Sequence, residues 1–408
     1  MAVLPSPSNT SAPESQGFEA NLDDLFLRFA VGPGRQMNIN TAPLQAQAIQ
    51  TSETPEDFQQ EFGQIFSRTD FAGGSGLDKA HKRNAGPNDF QRYWDSKGID
   101  VFSGKQVGQE YKVSLLHDTD EVQSTTGTNL YMQEMSGSIF FADGAVLKRI
   151  DSPLDASPSV TSETAPSAGN DITGMAVLGT RLYLVANGNI YVRTGASTYS
   201  THNSHKTFSK IWSMKGRIVA SDTSGDLYEV PDSSNPTTMK TLPTGTEWTD
   251  LADGGAVVLA CASDGYIYSF ADESSTLTLK GQTFIEGEIP NAIDAAQGLI
   301  FYGTYQNTAS GKIGRLYVAE ITNANSLYVL VNAQLLKQWG DGTTTLNQAP
   351  YRIISTRDSI YTGIVDSASK TNLWRYYLPT GGIARDLEFG ESGIVEGVAV
   401  FSDRIFAT

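Results

Sequence analysis

One cysteine, four histidines and a shortage of positive charge set the first limits on this chain of 408 residues. Cys261 alone cannot form an internal disulfide, so stability has to come from packing. Lysine and arginine number 29 against 45 aspartates and glutamates, a formal net charge of −16, which argues against a nucleic-acid binder. No window approaches the roughly 20 consecutive apolar residues that a membrane-spanning helix needs. The first residues, Met1 to Pro5, also lack a basic stretch followed by an apolar one, so neither a signal peptide nor membrane insertion is expected. What is plentiful is turn material. With 39 glycines and 16 prolines beside 39% hydrophobic and 18% charged residues, the composition is that of a turn-rich globular protein with ample length for a large core.

Three regions differ in character. Residues 1–20, dominated by Ser, Pro, Ala and Asn up to Gln16, read as a flexible tail. Residues 21–104 form an arm that holds the charged stretches with helical spacing and a cluster of glycines. Within it Phe58, Phe62, Ile65 and Phe66 fall at i, i+4, i+7 and i+8 behind Thr54-Pro55, which predicts a short helix with one apolar face. Residues 105–408 turn into short runs of Val, Ile, Leu, Tyr and Phe separated by Gly, Asp, Asn and Ser, an all-β pattern.

The β region repeats. Five-residue strands begin at Ser138, Arg181, Arg217, Ala256, Leu299, Ser359 and Arg404, and the first six are followed by a turn and a strand with an aromatic or large aliphatic centre. Intervals near 40 residues, with about four strands each, are the signature of propeller blades. The fold expected is therefore mainly β: a seven-bladed β-propeller preceded by an extended, partly helical N-terminal arm. Because the seventh start lies beside Thr408 with no partner behind it, closure is expected through pairing of the Arg404 strand with a strand near Val113. The longest interval, between Leu299 and Ser359, predicts long loops over Tyr305–Gly311 and Gln334–Leu346. There Tyr305 and Trp339 are candidates for surface recognition, by stacking on sugars.

Local motifs commit to little chemistry. Asp264-Gly265-Tyr266-Ile267-Tyr268 and Ser224-Gly225-Asp226-Leu227-Tyr228 resemble the Asp-Gly-x-Leu-Tyr turns of quinoprotein-like propellers, where Gly or Asp takes the tight turn and the aromatic packs between blades. His202 and His205 stand close together but lack the third and fourth donors of a metal site, and read as a polar hairpin loop. His117-Asp118-Thr119-Asp120 lacks calcium-loop spacing. Cys261 reads as a small buried hydrophobe. No catalytic, cofactor-binding or metal set emerges, so no enzyme is expected and no cofactor is implied.

The distinctive segment is Arg68 to Arg83, with Phe71-Ala72-Gly73-Gly74-Ser75-Gly76-Leu77-Asp78-Lys79-Ala80-His81-Lys82-Arg83, and Arg92-Tyr93-Trp94-Asp95-Ser96-Lys97-Gly98-Ile99-Asp100-Val101. Between Arg68 and Lys97 six basic residues face four aspartates, a basic arm on an acidic body. That suits docking, with Phe58, Phe62, Phe66, Phe71, Lys79, His81, Lys82, Arg83, Arg92, Tyr93 and Trp94 as the candidate contacts, against either an acidic neighbour or the chain's own propeller. Over about Phe58 to Val101 these stretches, with the repeats behind them, resemble virion proteins of tailed bacteriophages, particularly minor tail proteins. The resemblance implies a structural component of the virion tail, present in several symmetric copies, with other virion proteins as partners and a host-surface glycan or receptor as a further one. A carbohydrate-active or quinoprotein-like propeller enzyme and a non-catalytic glycan-binding module are the alternatives, resting on fold analogy.

Overall fold

A computed structural model describes residues 122–127, 131–155, 157–273, 276–340, 347–367, 370–389, 395, 397–402 and 404–407, and before them only 17–22, 25–31, 37–43, 74–75, 92–93, 99–100, 102 and 114–115. The chain divides into two compact units, Met1–His117 with Thr380–Ala384, and Asp118–Pro379 with Arg385–Thr408.

In the first unit Gly17–Leu22, Leu25–Val31 and Met37–Pro43 form an antiparallel three-stranded sheet. The first of these strands overlaps the end of the expected tail, where Phe18, Ala20 and Leu22 have the two-residue period of a strand. Gly74–Ser75 pairs in parallel with Arg92–Tyr93, and Ile99–Asp100 pairs with Ser114–Leu115. The expected helix over Thr54–Phe66 lies outside the described residues, which contain no helix at all.

Met132 to Phe389 form a β-propeller with six blades, each a four-strand meander whose first strand is innermost, the sixth lying in a six-stranded sheet. Blade 1 runs from Met132 to Thr164, blade 2 from Ile172 to Asn203, blade 3 from Phe208 to Thr241 and blade 4 from Trp248 to Phe284. Blade 5 runs from Ile289 to Trp339 and blade 6 from Ile353 to Phe389. The expected seven is thus corrected to six. The seventh start belongs to a two-stranded sheet, Val398–Phe401 with Arg404–Ala407, which has half the strands of a blade. The ladder expected between the Arg404 and Val113 strands is not among those of the described residues, because Arg404–Ala407 pairs with Val398–Phe401 and Ser114–Leu115 pairs with Ile99–Asp100.

The second strand of each blade is where the repeat is strongest, because it is buried on both faces: Ile139–Asp143, Leu182–Ala186 and Val257–Ala262 are continuously buried. Its apolar side chains feed two neighbouring clusters. Phe140 and Leu147 of blade 1 pack with Met175, Leu182 and Leu184 of blade 2. Leu259 and Ile267 of blade 4 pack with Ile300 and Tyr302 of blade 5. On the other side of blade 1, Met132, Ile139, Phe141 and Ile150 pack with Ala399, Phe401 and Phe406 of the C-terminal sheet. At about 1.5–3 kcal/mol for each fully buried large apolar side chain, these clusters supply the cohesion that a lone cysteine cannot.

The long Leu299–Ser359 interval is mostly strand rather than loop. Lys312–Ala324 and Leu327–Trp339 are 13 residues each, so Gln334–Trp339, expected in a loop, belongs to a long outer hairpin. The hairpin leans over blade 4: Leu330 N–H donates to Thr283 Oγ1 at 2.9 Å, and Gly281 passes so close to the Tyr328 backbone that a Cβ there would collide with it.

Candidate functional site

The innermost strands of blades 2 to 5 share one irregularity, a register shift between Ile172 and Gly174, Phe208 and Lys210, Trp248 and Asp250, and Pro290 and Ala292. A bulge re-aims the side chains beside it. Here they reach the next blade: Lys210 Nζ donates to Trp248 O at 2.8 Å, Thr249 Oγ1 to Pro290 O at 3.0 Å, and Asn291 Nδ2 to Pro350 O at 2.8 Å.

Beside this seam lies a polar cluster of the inner strands. Asp250, 3% exposed, accepts from Trp212 Nε1 of blade 3 at 3.3 Å, from its neighbour Leu251 N at 3.0 Å, and from Ile293 N of blade 5 at 3.2 Å. Arg352 Nη1, just before blade 6, lies 3.2 Å from the same carboxylate. Asp294 repeats the device one blade on, accepting from Ala295 N at 2.8 Å and Ser355 N at 2.6 Å. Burial raises both carboxyl pKa values, and the hydrogen bonds and Arg352 oppose that rise without cancelling it. One buried and one half-buried carboxyl on neighbouring inner strands, both with raised pKa values and near Arg352, could serve acid chemistry. Their geometry serves cohesion, since backbone N–H groups of the adjoining blade bind an oxygen of each.

At the rim the carboxylates are charge-paired or phenol-paired. Glu163 on the outermost strand of blade 1 is 2% exposed, accepts from Arg193 Nε and Nη2 at 2.7 Å each, and lies 3.3 Å from Arg149 Nη1. Tyr199 beside it is pushed up to about 12 by burial, with the Glu163 charge adding to the rise. Burial pulls Asp143 upward, yet Lys148 Nζ at 2.5 Å with the N–H groups of Gly127 and Thr126 holds it below the usual carboxylate range.

The two quinoprotein-like turns form as their residues dictate. Gly225 and Gly265 both take φ of +90°, a conformation that only glycine adopts freely. The aromatics pack inward, Tyr228 edge-on to Phe208 and Tyr268 edge-on to Trp248. Sequence reasoning missed that each turn aspartate also holds a tyrosine hydroxyl: Tyr268 Oη donates to Asp264 at 2.6 Å, and Tyr228 Oη lies 2.9 Å from both Asp222 and Asp226. A strand-ending Asp four or six residues before a Tyr was the available signal.

Other sequence candidates are placed plainly. Trp339 is 4% exposed, packed edge-to-face on Trp374 at 5.7 Å, because its strand continues where a loop was expected; it cannot present a face to a sugar. Tyr305 is half-buried, and Lys312 Nζ covers its ring at 4.0 Å. His202 is buried edge-on to Tyr183, with Nδ1 3.5 Å from Asp232, whereas His205 lies exposed in the following turn. Cys261 is buried in its strand, and burial pushes its thiol well up. Arg92 and Tyr93 lie in a two-residue strand, and Phe58, Phe62, Phe66, Phe71, Lys79, His81, Lys82, Arg83 and Trp94 lie outside the described residues. Among the described residues no group of three or more His, Cys, Asp or Glu is disposed to hold a metal ion, and no helix is long and apolar enough to cross a membrane.

Among solved structures the chain is similar in fold to the β-propeller domain of Myceliophteria thermophila Cps50 (Swd1), at 10% identity and a TM-score of 0.48 over 70% of this chain and 98% of that one. A chain of a mitotic checkpoint complex is similar at 11% identity and a TM-score of 0.45, over 70% of this chain and 93% of that one. No protein-family model matches the sequence, and no curated protein matches it. The comparisons therefore stop at the fold, and function has to be argued from the residues.

Proposed function

We propose that this protein is a structural and interaction component of a tailed-bacteriophage virion, a minor tail or tail-tip protein. In this reading the N-terminal arm docks onto other virion proteins, in several symmetric copies, and the propeller is the rigid platform that serves assembly or host-surface recognition. The observation that carries the platform half is the inner seam, where Asp250, Asp294, Thr249 and Asn291 bond adjoining blades. A seam tied this way resists shear between blades, as a display scaffold requires. The docking half rests on the resemblance over Phe58 to Val101 and on the mildly basic stretch from Arg68 to Lys97. Deleting residues 1–104 should abolish incorporation into particles, measured by immunoblot of purified virions; normal incorporation would overturn the docking half.

A second reading, a carbohydrate-active propeller enzyme, is favoured by one observation: Asp250 and Asp294 both have raised pKa values beside Arg352. It requires that Asp294→Asn abolish a hydrolytic activity while the protein stays folded. If no glycoside is turned over by the wild-type chain, that reading falls.

A further inference from the structure

We propose that the outermost strand of blade 4 carries a stacking platform for a neutral sugar ring, built from Phe284 and Gln282. It gives the recognition half of the reading above a ligand class. Among the described residues the large hydrophobics left exposed are five aliphatics and one aromatic, Phe284, which is 57% exposed. Its ring leaves a broad apolar face open to solvent on the outermost strand, and such a face can stack on a ligand.

The ring is held before any ligand arrives. Phe284 lies opposite Tyr266 in the ladder, with ring centroids 5.0 Å apart, and its edge rests over Gly265, where a Cβ would stand 3.4 Å from Cε2. Tyr266 in turn lies 5.8 Å from Tyr268, which is anchored by its hydrogen bond to Asp264. A pre-ordered ring loses little entropy on binding. Gln282 is two residues away, on the same face of the strand, and is likewise exposed. Its amide offers two donors and an acceptor to hydroxyl groups, while the ring offers a flat apolar face to the C–H side of a pyranose.

Charge narrows the class. Asp264 and the exposed Glu286 flank the platform on a chain of net charge −16, so sialylated, sulfated or phosphorylated sugars are disfavoured.

The test uses the full chain and a panel of neutral oligosaccharides: maltotetraose, cellotetraose, mannotetraose and chitotetraose. Binding is read by saturation-transfer NMR and calorimetry. At least one should bind, Phe284→Ala should weaken it about tenfold or more, and Phe284→Trp should preserve it. Gln282→Ala should weaken it less. The Phe284→Ala protein should melt with the wild type, since the ring is exposed. The proposal is overturned if no member of the panel binds at millimolar concentration, or if binding is indifferent to Phe284→Ala. Tetramethylammonium binding at Phe284 with no sugar bound would also overturn it, showing a cation site instead. Sugar binding is measured on the isolated chain and incorporation on particles, so either result can fail without the other.

Discussion

Carboxylates at the rim and at the inner seam of this propeller are satisfied by a different balance of cations and backbone N–H groups. At the rim, Glu163 meets the cations Arg193 and Arg149, and Asp143, at the end of the second strand of blade 1, meets Lys148 together with the N–H groups of Thr126 and Gly127. At the seam, Asp250 and Asp294 meet mainly backbone N–H groups of the adjoining blade, with Arg352 as the nearest cation. A cation on a long side chain can follow water when its partner is lost. A backbone N–H fixed in a strand cannot, so the seam should be the more fragile place to lose a carboxylate.

Asp250→Ala should therefore have the largest effect, about 3–5 kcal/mol of unfolding free energy, because it leaves the buried donors Ile293 N and Trp212 Nε1 unsatisfied together. Glu163→Ala should cost less, about 2 kcal/mol, since Arg149 at 26% exposed and the long Arg193 side chain at 12% can both turn toward water. Urea denaturation of both variants decides the order; equal losses would break the distinction between rim and seam.

The same contrast fixes opposite pH dependences. Burial raises Asp250 and Asp294, so the folded state holds their protons more tightly than the unfolded chain does. Their contribution to stability is complete below the ordinary carboxylate value and is lost as pH rises through the raised folded value. Asp143 is lowered, so its contribution is present above the ordinary value and is lost as pH falls through the lowered one. In thermal melts the wild type should gain on Asp294→Asn as pH falls toward the ordinary carboxylate range of about 4, and should lose ground to Asp143→Asn only below it. Parallel curves for the two pairs would refute the assignment.

How much of this could be read in advance follows the physics of each feature. The blades were legible because second strands such as Val257–Ala262, buried on both faces, leave an unbroken apolar run. Blade number was not, since the run at Arg404 looks the same in a two-stranded sheet as in a whole blade. The fate of Trp339 was hidden because Gln334–Trp339 lacks alternation, and a 13-residue hairpin leaning on blade 4 is decided by tertiary packing. The seam was invisible for a deeper reason. Thr249, Asn291 and Asp294 act through a bulge and through the backbone of the next blade, at sequence separations of 41 to 61 residues that no local pattern records.

The smallest effect sharpens the comparison from the wet side. Tyr268 donates to the single carboxylate Asp264, while the Tyr228 hydroxyl lies between Asp222 and Asp226, and both turns are half-buried. Phenylalanine at either position keeps the ring contacts with Trp248 or Phe208 and removes only the hydroxyl. Because water can reach these carboxylates, the loss should be about 0.5–1.5 kcal/mol. Tyr228→Phe should cost the more, since it removes the one proton that two neighbouring carboxylates share. A loss at either turn as large as that of Asp250→Ala would mean that the rim is as dry as the seam, and that partner type is not what separates them.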